Sequence, residues 1–109
     1  MTLLEKLNND DRFANSIGAQ LTDLREGYAK AELVVEERHL NGAGVCQGGV
    51  IYTLADLSFA GVANSHGILS LGISNTIHHT HHCMSMKFYS FNWSIIYYFF
   101  IFFITYIYI

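Results

Sequence analysis

The stretch HLNGAGVCQGGVIYTLADLSFAGVANS, residues 39–65, joins a glycine-rich loop to a long apolar run. The run that follows Gly48 and Gly49 predicts a helix of about four turns, which ends near Asn64 and Gly67. Its side chains are apolar nearly all round, which is typical of a helix inside a protein core. In a small domain, such a helix is covered when a curved sheet wraps around it.

Asp56 interrupts this apolar helix. It is the only side chain with a full formal charge between residues 39 and 86. Burial of an unpaired carboxylate costs several kcal/mol, so we expect a raised pKa or bonding partners, and hence a functional residue. The alternative is a structural Asp, which caps a neighbouring loop or faces solvent on a narrow polar stripe with Tyr52, Thr53 and Ser58.

The glycine pair before the helix suits the binding of negative charge. Gly48 and Gly49 leave backbone N–H groups uncovered by side chains, and a helix N-terminus stabilises a developing oxyanion. Asp56 follows two turns later, at about 12 Å of helical rise from Gly48. A substrate atom held at Gly48 cannot also reach Asp56 unless the substrate lies across the helix or a second chain completes the site. The spacing therefore favours a dimer.

The residues before the loop predict a short helix and a hairpin. Thr2 and Glu5 form a capping-box pattern, and the polar run at residues 8–11 ends the helix that it starts. Residues 16–25 and 28–37 are predicted strands around a turn at Glu26 and Gly27. The second strand alternates apolar and polar side chains, as a half-buried antiparallel strand does. Residues 68–77 predict a further strand.

The last third of the chain differs from the rest in composition. After Gly72 the sequence contains no Ala, Gly, Val, Leu, Asp or Glu, and residues 88–109 are uncharged. We divide the chain into a partial domain at 1–77, a His-rich junction at 78–87 and a tail at 88–109. The tail has three interpretations: an out-of-frame or read-through product, a hydrophobic anchor long enough to span a bilayer, or substitute strands.

The His-rich junction and the two cysteines are weak evidence for a site. His78, His79, His81, His82 and Cys83 lack a carboxylate neighbour, and we expect no metal there. We interpret Cys46 as a buried structural cysteine, because no base is positioned to activate it.

Charge and composition exclude several classes of protein. The net charge is −3 with no basic patch, so we expect no nucleic-acid partner. The N-terminus is acidic and lacks the apolar segment of a secretory signal, and the cysteines do not form a disulfide pattern. These features predict one small cytoplasmic domain.

The residues from His39 to Asp56, with DRFA at 11–14 and LSFAGVANS at 57–65, strongly resemble the phenylacetate-degradation type of hotdog thioesterases. The resemblance covers roughly residues 2–77. It implies an α+β hotdog fold, in which an antiparallel sheet wraps around a long central helix, here incomplete at the C-terminus. It also implies a homodimer or homotetramer.

The same resemblance implies a catalytic arrangement. Asp56 occupies the position of the nucleophile or general base, and Gly48 that of the backbone N–H donor to the thioester carbonyl. Gly49 is expected to contact the substrate beside Gly48.

Three further positions match residues near the reacting group. Gln47 stands where His is common, and it still forms hydrogen bonds but does not titrate. Asn41 matches an Asn near the scissile bond, and Ser74 matches a Ser that the partner subunit contributes near the attacking water. The implied substrate is an acyl- or aryl-CoA thioester, with no cofactor and no metal.

The sequence thus predicts an acyl-CoA hydrolase. The alternative from another class is an inactive, truncated or frameshifted remnant, associated with a membrane only through residues 88–109. A hotdog dehydratase is a second enzymatic alternative, but it requires a His and Asp pair at the helix, and Gln47 argues against it.

Overall fold

The computed structural model describes residues 1–71 and five short strands between residues 87 and 108. In chain order, the first part contains helices α1 (Leu3–Asp10) and α2 (Arg12–Ile17), strands β1 (Gln20–Arg25) and β2 (Tyr28–Glu32), a 3-10 turn (Glu37–His39) and helix α3 (Gly48–Asn64). The later strands are β3 (Lys87–Tyr89), β4 (Phe91–Asn92), β5 (Ser94–Ile96), β6 (Phe99–Ile101) and β7 (Tyr106–Tyr108).

Helix α1 begins at the predicted capping box. The Glu5 N–H donates to Thr2 Oγ1 at 3.2 Å, and the Thr2 N–H donates to Glu5 Oε2 at 2.8 Å. Further along the helix, the Asn8 side chain bonds both backbone groups of Leu21, each at 2.8 Å. Asn8 therefore covers the open edge of β1, where a neighbouring strand would otherwise pair.

The first predicted strand begins later than the sequence indicated. Residues 16 and 17 belong to helix α2, which starts at the N-cap Asp11 and ends at Gly18, whose φ of 78° is left-handed. These two caps define a helix of only six residues, too short to be recognised by apolar periodicity. The prediction of a strand over 16–25 was therefore wrong at its start, because β1 begins at Gln20.

Strands β1 and β2 form the predicted antiparallel hairpin. Leu21 pairs with Ala31, Arg25 pairs with Tyr28, and the turn contains Gly27 at a φ of 73°. The apolar residues of β2 face inward, as the alternation predicted, since Ala29 and Ala31 are buried.

Strand β2 ends at Glu32, not at residue 37 as predicted. The chain after it turns to close the C-terminal end of α2. Arg38 Nη1 donates to the Ser16 carbonyl at 2.9 Å, and His39 Nε2 bonds the Ile17 carbonyl at 2.7 Å. These bonds satisfy carbonyls that the helix end leaves unpaired, and they withdraw residues 36–39 from the sheet.

Helix α3 lies against the hairpin and supplies most of the core. Leu54 and Val62 are completely buried. At Gly61 the helix approaches β2 so closely that an added Cβ would lie 2.8 Å from Ala29 Cβ. The helix ends at Asn64, as predicted, and Ser65 Oγ then accepts the Gly27 N–H at 2.9 Å, which ties the hairpin turn to the end of the helix.

The chain beyond α3 is anchored by Asn64. Its Oδ1 accepts the Ser70 N–H at 3.0 Å, and its Nδ2 donates to the Ser70 carbonyl at 3.1 Å. Residues 68–71 form no strand, so the prediction over 68–77 was wrong in its first part, and residues 72–77 lie outside the described part of the chain.

Of the strands after residue 86, one pairs with the hairpin and the other four pair with one another. Strand β4 pairs with β2 to give the order β1-β2-β4, while β3 pairs with β7 and β5 pairs with β6, all antiparallel. The architecture is therefore α+β, as predicted. Among the residues that the structure describes, no helix has the combination of length and hydropathy that crossing a bilayer requires.

Candidate functional site

Asp56 lies on the side of α3 that faces away from the hairpin, and it is exposed. Gly49, Tyr52 and Thr53 precede it at helical spacing on the same side, and Tyr52 is 44% exposed. The expectation of a buried Asp56 was therefore wrong, and the alternative polar stripe is what the structure shows. Ser58, which we had placed on that stripe, is instead fully buried on the opposite side.

The surroundings of Asp56 still favour its protonated form. Partial burial against the helix surface raises the pKa of the Asp56 carboxyl, and the negative charge of Asp11 raises it further. None of the ion pairs within residues 1–71 includes Asp56. Asp56 is thus a carboxylate that is more basic than usual and accessible to a ligand.

The first turn of α3 offers one backbone donor for which residues 1–71 supply no acceptor. The Gly49 N–H donates to Oε1 of the N-cap residue Gln47, so it is already engaged. For the Gly48 N–H, residues 1–71 provide no acceptor within hydrogen-bond distance, and a Cβ placed on Gly48 would meet nothing within 4 Å. The expectation of two free donors is thus corrected to one, at Gly48, with open space beside it.

Gln47 contributes a second donor through its side chain. Because Oε1 faces the Gly49 N–H, the amide orientation is fixed and the Nε2 group is the part left for a ligand. Gln47 is exposed at the same end of the helix as Gly48.

Asn41 organises the loop before the helix. Its Oδ1 accepts the N–H groups of Ala43 at 2.9 Å and Val45 at 3.3 Å, and its own N–H donates to the Val45 carbonyl at 2.8 Å. The loop turns back at Gly44, whose φ of 77° is in the left-handed region that glycine adopts readily. The Asn41 carbonyl oxygen is therefore used to shape the loop, and its Nδ2 group is left on the exposed surface.

His39 anchors this loop to the core. It is 2% exposed, and its Nδ1 accepts the Glu36 N–H at 2.8 Å while its Nε2 bonds the Ile17 carbonyl. The Gln47 N–H in turn donates to the His39 carbonyl at 2.8 Å, which fixes the start of α3. Cys46, beside it, is buried, in agreement with its interpretation as a structural residue.

The structure therefore brings Asn41, Gln47 and Gly48 together at the start of α3 and places Asp56 two turns further along the same exposed side. Ser74 lies outside the described residues, as do residues 78–86 of the His-rich junction, which include Cys83. In the part of the chain that is described, His, Cys, Asp and Glu form no group of three or more that could hold a metal ion.

Asp11 is a residue that the sequence did not single out as part of the site. It lies at the junction of α1 and α2, and its charge acts on Asp56. The signal that could have identified it is its N-cap position, because a capping carboxylate is held in one place by backbone donors.

The chain is similar in sequence to two curated proteins. No family model matches the sequence. A segment of 68 residues is 48% identical to an Archaeoglobus fulgidus protein provisionally named an esterase, and it covers 62% of this chain and 44% of that protein. Over 68 residues the chain is also 34% identical to the acyl-coenzyme A thioesterase PaaI of Escherichia coli K12, with 62% and 49% covered. The chain thus spans about half the length of these curated relatives.

Two solved structures are similar to this chain in fold. The E. coli PaaI protein of the phenylacetic acid degradation operon superposes with a TM-score of 0.71 at 25% identity, over 84% of this chain and 73% of that one. The chain has the hotdog fold of PaaI-type proteins. A conserved protein from Pseudomonas aeruginosa has a TM-score of 0.75 over 84% of this chain and 75% of its own, and its 18% identity supports the fold alone. The resemblance to PaaI-type proteins and the hotdog fold, predicted from the sequence over roughly residues 2–77, are confirmed.

Proposed function

We propose that this chain hydrolyses acyl- or aryl-CoA thioesters on the exposed side of α3. The observation that carries the proposal is the Gly48 N–H, for which residues 1–71 supply no acceptor, on the same exposed helix side as Asp56, whose pKa is raised. The E. coli relative, named as an acyl-coenzyme A thioesterase, gives the thioester class.

In the proposed reaction, the Gly48 N–H donates to the thioester carbonyl oxygen, where negative charge develops in the transition state. Removal of one such donor in other enzymes lowers kcat by about 10²–10³-fold. Gln47 Nε2 donates beside it, while Gly49 and Asn41 line the approach of the substrate. Asp56 either attacks the carbonyl carbon or takes a proton from a water that does so, and the CoA thiolate leaves. A carboxylate with a raised pKa is the stronger base in the second role.

A single chain does not bring these groups to one atom. Asp56 is the eighth residue after Gly48 in the helix, and the helical rise between them is about 12 Å. The proposal therefore includes a homodimer or homotetramer, in which the Gly48 of one copy and the Asp56 of another face one substrate. Ser74 is proposed as a further contribution of the second copy, near the attacking water.

The proposal also covers the boundaries of the thioesterase segment, its cofactor requirement and its location in the cell. We place the thioesterase segment at residues 1–77, apart from the junction at 78–87 and the tail at 88–109. The chemistry derived above uses no cofactor or metal, and the cytoplasm, where CoA thioesters are available, is the proposed location.

Gly48→Pro tests the donor role directly. Proline lacks an N–H but is favoured at the first position of a helix, and the preceding Gln47, at φ −63° and ψ 135°, has a conformation that precedes proline well. Gly48→Ala is the matched control because it keeps the N–H.

The assay is thiol release from acetyl-, hexanoyl- and phenylacetyl-CoA, with the corresponding oxygen esters in parallel. We expect thioester hydrolysis that falls about 10²–10³-fold in Gly48→Pro and survives in Gly48→Ala. Asp56→Asn is expected to lose activity, while Asp10→Asn, at an exposed residue that pairs with Lys6, is expected to keep it. Absence of thiol release by the native chain, or hydrolysis of oxygen esters alone, contradicts the proposal.

A further inference from the structure

We propose that Tyr52 contacts its own counterpart in a second copy of this chain, on the two-fold axis that relates the two shared sites. Tyr52 is then a positioning residue, which sets how the two copies align and does not touch the thioester. The inference rests on the proposed function, because it starts from a site in which one copy supplies Gly48 and the other supplies Asp56.

The exposed residues of α3 form a line along one side of the helix. They are Gly48, Gly49, Tyr52 and Asp56, and Tyr52 is 44% exposed. Tyr52 lies four residues after Gly48 and four residues before Asp56, so about 6 Å of helical rise separates it from each. Residues four apart lie on the same side of a helix. Tyr52 is therefore the centre of the line whose ends carry the proposed chemistry.

The symmetry of a shared site determines what faces Tyr52. Two copies that exchange Gly48 and Asp56 form an isologous pair, in which every contact is repeated with the roles of the copies reversed. Their α3 helices must run antiparallel, since a parallel pair would place each residue opposite its own counterpart. In an antiparallel pair with residue 48 opposite residue 56, the residue midway between them is opposite itself. That residue is Tyr52.

The charges of the exposed side favour the antiparallel arrangement. The helix dipole gives the N-terminus of α3 a partial positive charge, and residues 1–71 supply no acceptor for its Gly48 N–H. Asp56 is an exposed carboxylate that takes part in none of the ion pairs of those residues. An antiparallel pair places each Asp56 near the N-terminus of the other helix, whereas a parallel pair places like charges together. The exposed side is thus complementary to itself, and its occupant is a second copy.

A tyrosine ring suits a contact on a symmetry axis. Two aromatic rings pack edge-to-face or offset, and they bury a large apolar area with few side-chain torsions to fix. Two crossing helices are closest at one point and separate on either side of it. A crossing at Tyr52 therefore leaves a gap one turn away in each direction, where Gly48 of one copy faces Asp56 of the other.

Disulfide formation between introduced cysteines tests this alignment in the full chain. Cys83 is replaced by Ser in every variant, and Cys46 is buried. Oxidation with copper phenanthroline should link two copies of Tyr52→Cys, because a disulfide joins Cα atoms about 4.4–6.8 Å apart. Asp56→Cys is the matched control, since about 12 Å along the helices separates it from its counterpart. Gly48→Cys, whose Cβ meets nothing within 4 Å, should link to Asp56→Cys when the two are refolded together.

Thiol release from phenylacetyl-CoA, measured over a range of protein concentrations, tests the positioning role. Tyr52→Ala should raise the dissociation constant of the dimer about tenfold or more, so its activity is lost on dilution and recovered at high concentration. Tyr52→Phe keeps the ring and should retain the native behaviour. Phe13→Ala removes an aromatic side chain of α2 that is 65% exposed, and it should not change the concentration dependence.

The outcomes separate the inference from the proposed function. An active native chain in which Tyr52→Cys does not link, Asp56→Cys links to itself equally well, or Phe13→Ala and Tyr52→Ala behave alike overturns the inference and leaves the proposed function intact. An inactive native chain in which Tyr52→Cys still links overturns the proposed function and leaves the pairing of the copies. An inactive native chain with no link overturns both.

Discussion

The two sides of helix α3 differ in almost every physical respect. The side toward the hairpin contains Leu54 and Val62, both fully buried, and Gly61, which touches β2. The opposite side contains Gly48 and Asp56, and residues 1–71 supply neither an acceptor for the Gly48 N–H nor a cation for the Asp56 carboxylate. The hairpin covers the first side, whereas the described residues leave Asp56 on the second side exposed. The difference separates the residues that hold the fold from those available for chemistry.

The largest expected effect on stability is on the packed side. Leu54→Ala removes a completely buried side chain and should lower the free energy of unfolding by about 2–5 kcal/mol. Tyr52→Ala, half a turn away on the open side, should lower it by less than Leu54→Ala does, because Tyr52 is 44% exposed. Urea denaturation followed by circular dichroism measures both. Equal losses in the two variants would contradict the assignment of sides.

Gly61→Ala tests the close approach between helix and sheet. The added methyl would lie 2.8 Å from Ala29 Cβ and 3.3 Å from Leu21 and Leu24 side-chain atoms, so the hairpin must shift. We expect a loss of about 1–3 kcal/mol from overpacking, reduced by the better helix propensity of Ala. Gly48→Ala, where the methyl meets nothing within 4 Å, should be neutral or slightly stabilising in the same denaturation experiment. A stabilised Gly61→Ala would show that the helix is not in contact with β2.

Ser58 is the exception on the packed side. Its hydroxyl is fully buried and has no hydrogen-bond partner among the described residues. Ser58→Ala should therefore raise the free energy of unfolding by about 1 kcal/mol, because an unsatisfied buried polar group is removed. Ser65→Ala is the contrasting variant, since that hydroxyl accepts the Gly27 N–H, and we expect it to be destabilising. Thermal denaturation measures the stability of both variants. A loss of stability in Ser58→Ala as well as in Ser65→Ala would contradict the prediction.

The smallest expected effect is the pH dependence caused by Asp56. Its folded-state pKa is raised, so the folded chain holds the proton more tightly than the unfolded chain does. Stability from this group is then present below the unfolded pKa and is lost as pH rises through the folded pKa. Asp56→Asn should match the native chain at low pH and exceed it by at most about 0.5 kcal/mol at neutral pH. A native chain that is the more stable of the two at neutral pH would show that Asp56 has a stabilising partner.

The sequence predicted the elements whose signals are local. The capping box at Thr2, the hairpin around Gly27 and the end of α3 at Asn64 each depend on neighbouring residues, and each is found. Helix α2 was missed because its six residues are defined by caps at Asp11 and Gly18 and by bonds that residues 38 and 39 donate from outside the helix.

The orientation of Asp56 could not be predicted for a different reason. Helix α3 is apolar nearly all round, so the spacing of its apolar residues did not indicate which face is covered. The lone carboxylate in this helix was therefore interpreted as buried. Only the contact with the hairpin decides which side is covered. The same limit applies to Gln47, whose capping of Gly49 reduces two expected donors to one. The role of Ser74 and the division of the chain at residue 77 remain predictions.

The central claim is that the open side of α3 becomes a thioesterase site when two copies share it. Mixing the two inactive variants Asp56→Asn and Gly48→Pro, unfolded together and refolded in equal amounts, tests this claim most directly. In a mixed dimer, one of the two sites has an intact Gly48 from one copy and an intact Asp56 from the other. The account predicts that the mixture recovers about a quarter of the native thiol-release activity, as random pairing gives. Activity no higher than that of the separate variants would contradict it.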